Sequence, residues 1–160
     1  MDTKPYLRLL TKSPLLMKGI FSQTNIANSK NKPFIIVDKE FNQIQTIEEG
    51  IYVEKVNVYE INKNGQLKDW FSEINHDLKT ICLPEKQIPA FCKKYYDWLS
   101  KNQFGSTFFL LNGIVDGVTS IHVAQVVKKQ NACSIYHGLL EGGENPIFES
   151  ENQHRIVVPV

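Results

Sequence analysis

The sequence predicts a single α+β domain spanning residues 1–160, with an antiparallel C-terminal β-meander packed against two amphipathic helices. Two helical stripes of apolar residues and a change to β-type composition after Gly105 carry this expectation. The length agrees, because domains commonly hold ~100–150 residues.

Leu9-Leu10 and Leu15-Leu16-Met17 are interrupted by Lys12, Pro14 and Lys18, and no small-residue cleavage site follows, so neither a membrane span nor a signal peptide is expected. Residues 22–32, rich in Ser, Asn and Lys, read as a surface loop before a strand at Phe34-Ile35-Ile36-Val37. A second strand is expected between Ile51 and Ile61, with Asn64-Gly65 as a turn.

The first helical stripe joins Leu67, Trp70, Phe71, Ile74 and Leu78, and the second joins Ile88, Phe91, Cys92, Tyr95 and Leu99. Both use offsets that place apolar side chains on one face of a helix. Pro89 suits a first turn, where an N–H has no helical partner. Thr80-Ile81-Cys82-Leu83 reads as a short strand between the helices. Beyond Gly105, strands are expected at Ser106–Leu111, Val118–Val127, Ala132–Leu139 and Gln153–Val158. Asn112-Gly113 and Asp116-Gly117 mark the first reversal, and Lys128-Lys129-Gln130-Asn131 the second.

Composition narrows the function classes. The chain is 42% hydrophobic and 22% charged, as in ordinary globular proteins, and too apolar for a disordered one. Its net charge of +1, and only two arginines (Arg8 and Arg155), argue against a nucleic-acid partner. Three cysteines form no even-numbered disulfide framework and point to a reducing, cytoplasmic setting.

One juxtaposition follows from strand geometry. If the second reversal has four residues, Val127 faces Ala132, His122 faces His137, Ala124 faces Ile135 and Val126 faces Cys133, all sharing one face. A cross-strand His pair can hold a transition metal or supply one imidazole as a base. A small hydrolase or transferase would use His122 and His137 in this way, with Cys133 further along. Cys133 and His137 stand roughly 13 Å apart on one strand, too far to share a metal, and no metal site is assigned. Cys92 lies on an apolar stripe and reads as an inert buried thiol.

Other motifs read as turns. Gly142-Gly143 is flanked by Glu141 and Glu144, which repel phosphate, and neither G-x-x-x-x-G-K-[ST] nor G-x-G-x-x-G occurs, so no cofactor is expected. Glu149-Ser150-Glu151 is similar over those few residues to the catalytic turn of ADP-ribosyltransferases, with Arg8 as an early arginine, but the intervening Ser-Thr-Ser signature is absent. It reads as a solvated turn.

Tyr96 and Trp98 flank the second stripe and are the expected anchors for another protein, since Trp and Tyr are enriched at interface hot spots. The favoured expectation is thus a small non-enzymatic protein-binding module of inhibitor, immunity or assembly-subunit type.

Overall fold

The protein's computed structural model describes residues 5–29, 33–47, 52–130, 132–141 and 145–160. Among them, nine strands form one mixed sheet. In chain order these are β1 (Leu7–Leu9), β2 (Leu15–Leu16), β3 (Phe34–Val37), β4 (Gln45–Thr46), β5 (Lys55–Ile61), β6 (Thr107–Val115), β7 (Val118–Lys129), β8 (Ala132–Leu139) and β9 (Arg155–Pro159). The main path across the sheet is β1-β5-β9-β6-β7-β8-β3, with β2 also beside β5 and β4 beside β6. Two α-helices, α1 (Leu67–Ile74) and α2 (Gln87–Lys94), complete an α+β architecture.

β6, β7 and β8 form the antiparallel meander that composition predicts. The expectation of an all-antiparallel C-terminal sheet is corrected at two places. β9 crosses back to lie antiparallel to β5 and parallel to β6, and β3 runs parallel to β8. Local pattern reports that a segment is extended, whereas its neighbours and their direction are long-range choices.

The run Phe108-Phe109-Leu110-Leu111 follows from burial on both faces. Phe109 and Leu111 join one core with Phe91, Cys92 and Ile88 of α2. Phe108 and Leu110 join the other with Trp70 and Phe71 of α1. The sheet therefore lies between the helices, and each large apolar side chain so covered contributes about 1.5–3 kcal/mol.

Both helices are shorter than their stripes. α1 stops at Ile74 because Asn75 is extended and its side chain accepts the Asp77 N–H, so Leu78 enters the core from a 3-10 turn over Leu78–Ile81. That turn also replaces the expected strand at Thr80–Leu83, although the Leu83 N–H donates to the Leu110 carbonyl at 2.8 Å. α2 gives way to a 3-10 turn over Tyr96–Trp98, and Arg155 donates to the Trp98 and Leu99 carbonyls. Their hydrogen-bonding capacity is met without continuing the helix.

The reversals also differ from expectation. β6 runs straight through Asn112-Gly113, and the chain turns only at Asp116-Gly117, where φ values of +51° and +78° suit a two-residue hairpin. β7 and β8 extend to Lys129 and from Ala132, leaving two residues between them instead of four. Of the predicted surface loop at 22–32, residues 30–32 lie outside the described residues, and the rest dips inward at Ile26, which is fully buried and whose N–H donates to Glu85 Oε1 at 2.9 Å. Gly142-Gly143 lies outside the described residues.

Candidate functional site

The two-residue reversal shifts the β7–β8 register by two positions. His122 now faces Leu139, Ala124 faces His137, Val126 faces Ile135, and Cys133 faces Lys128. The direct opposition of His122 with His137, and of Val126 with Cys133, is corrected. A shift of two preserves the face, because side chains alternate with period two. The two imidazoles become diagonal neighbours, and His122 Nδ1 lies 2.8 Å from His137 Nε2. One ring donates and the other accepts.

The pair sits in a walled site. His122 is buried, and its Nε2 has no hydrogen-bond partner among the described residues. Its ring leans over Gly113, where an added Cβ would come within 3.0 Å of the imidazole and collide with Ile44. Half-buried His137 stands edge-on to Phe41, and its backbone N–H donates to Asp38 Oδ2 at 3.1 Å.

Burial pushes the His122 pKa below the ordinary histidine value; His137 adds to that, and the Gly113 backbone opposes it. Burial also lowers His137, with Asp38 and Glu40 pulling the other way. Both environments favour neutral imidazoles.

Cys133 is not brought to this pair. Its thiol is buried and pushed up to about 11, chiefly by burial, with Lys128 partly opposing. Cys92 is fully buried and raised well above its ordinary value, first by burial and then by Cys133. Burial and Asp77 raise Cys82 to about 12. All three cysteines are free, and each is held as a thiol, the poorly nucleophilic form. Among the described residues, no group of three or more His, Cys, Asp or Glu side chains is placed to hold a metal.

The predicted anchors Tyr96 and Trp98 are half-buried. The Tyr96 hydroxyl donates to the Gln130 carbonyl, and Lys128 Nζ lies 4.1 Å over its ring. Glu149 and Glu151 are exposed at a 3-10 turn, and a hydrogen bond with Glu151 raises the Glu149 carboxyl.

Two surface features escaped sequence reading. The first is the edge position of β3, a strand the sequence does predict: it ends the sheet path, and no strand pairs with its outer side among the described residues. Ile35 and Ile36 are each 44% exposed there, next to a register shift against β8. The signal was available: four consecutive apolar residues after Pro33 carry no alternation. That run indicates burial on both faces, which the edge does not supply.

The second feature is a groove of about 620 Å³ between residues 20–24, Pro33 and the outer side of α2. Phe21, half exposed and stacked on Tyr52 at 4.8 Å, forms part of its wall. Nothing in the spacing of these residues announces the groove, because its walls are distant in sequence.

No protein-family model, curated protein or solved structure matches this chain.

Proposed function

We propose that this protein is a small non-enzymatic binding module that engages another protein, as inhibitors, immunity factors and assembly subunits do. The observation that carries this reading is the outer edge of β3. An edge strand presents backbone N–H and C=O groups that a partner strand can complete. Soluble proteins commonly protect such edges with charge, proline within the strand or covering structure. Here the strand consists of Phe34, Ile35, Ile36 and Val37, with the two central isoleucines facing solvent.

Tyr96 and Trp98 serve as supporting contacts in this reading, since internal bonds already hold Tyr96 in place. The His122–His137 pair serves the fold, each ring meeting one hydrogen-bonding need of the other.

The test compares immobilised native protein with Ile36→Lys at physiological salt, each presented with the same cell extract. The exposed position admits a lysine, so both should unfold at the same temperature. The native form should retain a stoichiometric protein that Ile36→Lys loses, and the purified pair should re-form the complex. Retention indifferent to Ile36→Lys, or no retained protein, would overturn the proposal.

A further inference from the structure

We infer that the partner segment is an acidic, extended peptide that continues from the β3 edge into the neighbouring groove. The inference rests on the edge-binding reading above and adds the chemistry of the partner. Continuity is the first support: Pro33 lines the groove and directly precedes Phe34, the first residue of β3. A strand laid along β3 therefore reaches the groove at one end.

Charge is the second support. Lys93 and Lys94 line the groove, both side chains are exposed, and no acidic residue shares that lining among the described residues. The remaining wall is apolar, from Ile20, Phe21, Pro33, Pro89 and Ala90, with hydroxyl and carboxamide groups at residues 22–24. A volume near 620 Å³ falls within the range of small-ligand pockets, enough for two or three side chains. Carboxylates meeting the two ammonium groups, with apolar or β-branched residues between them, complement this surface. A basic segment would place like charges together.

The net charge of +1 leaves little long-range field to attract polyanions, so the selectivity expected here is local and short-ranged.

The experiment selects from a random dodecapeptide phage library against the intact protein, followed by fluorescence-anisotropy titration of the enriched synthetic peptides. Selected sequences should be enriched in Asp and Glu interleaved with Val, Ile or Thr. Neutralising both groove lysines, Lys93→Gln with Lys94→Gln, should weaken binding roughly tenfold, as two partly exposed ion pairs imply. Raising salt should shrink that difference. Lys101→Gln, outside the groove lining, should leave binding unchanged.

Peptides that bind in an Ile36-dependent way, without acidic enrichment or sensitivity to the lysine changes, would overturn this inference and leave edge binding standing. Acidic peptides indifferent to Ile36→Lys would overturn the continuity with β3. Failure to enrich any peptide would overturn the inference as well, while the capture experiment would still decide the broader reading.

Discussion

His122 Nδ1 lies 2.8 Å from His137 Nε2, although the strand register sets Ala124, not His122, opposite His137. The contact works diagonally because both side chains project from one face and Gly113 leaves room for the ring. Each imidazole favours its neutral form, so removing one should change the other's titration. His137→Ala should raise the His122 pKa towards the ordinary histidine value, because the neighbouring His137 charge helps lower it. NMR titration of the ring protons measures this; an unchanged or further lowered His122 would contradict the assignment.

Gly113→Ala probes the same site from beneath. The new methyl would meet Ile44 and the His122 ring, so a loss of about 1–3 kcal/mol is expected from overpacking. Urea unfolding should show it as a lowered midpoint, accompanied by shifted His122 and His137 ring signals.

His154 is a buried histidine that the sequence did not single out. Its Nδ1 accepts the Ser106 N–H at 3.0 Å, and Trp70, Phe108 and Phe148 surround the ring with centroids 5.1–6.1 Å away. Burial lowers its pKa to about 4, with the Ser106 backbone bond pulling upward. The fold thus favours neutral His154, while the unfolded chain takes up a proton near pH 6.5. This contribution is complete above that pH and is lost as pH falls from about 6.5 to about 4. It amounts to about 2–3 kcal/mol. Urea midpoints between pH 8 and pH 4 should fall accordingly, more steeply than in His154→Gln.

Gln87 ties two segments, the turn from Met17 to Ile20 and the stretch at Val53, to the start of α2. Its side-chain carbonyl accepts the Val53 N–H at 2.8 Å, and its amide donates to the carbonyls of Met17, Ile20 and Val53. Gln87→Leu keeps bulk but strands several backbone groups away from water. A loss of about 2–5 kcal/mol is expected, since each unmet buried group costs about 1–3 kcal/mol and such losses are not fully additive. Chemical denaturation measures it, and a loss below ~1 kcal/mol would show that water replaces these bonds.

Thiol labelling tests the burial of the cysteines. With Cys133 raised to about 11 and Cys82 to about 12, each should hold at least roughly a hundredfold less thiolate at neutral pH than a free cysteine. Native protein should react slowly at all three positions and fully after denaturation. Rapid modification of one native cysteine would favour a nucleophilic role over the binding-module reading.

The amino-acid order by itself located the strands β3 and β5 to β9, the two helices and their apolar faces, but not the short strands β1, β2 and β4 or the 3-10 turn over Leu78–Ile81. Periodicity is a local property, so Trp70, Phe71, Ile88 and Phe91 could be assigned to buried faces before any tertiary contact was known. It also placed His122 and His137 on one face, because a register error of two residues leaves strand parity intact. Tertiary structure decided what parity cannot express: the parallel partners of β3 and β9, the neutral box around His154, and the bonding of Gln87. It also left Ile35 and Ile36 at an edge. Apolar content signals an affinity for burial, but whether a neighbouring strand arrives to satisfy it depends on contacts spanning about a hundred residues, from Phe34 to Cys133.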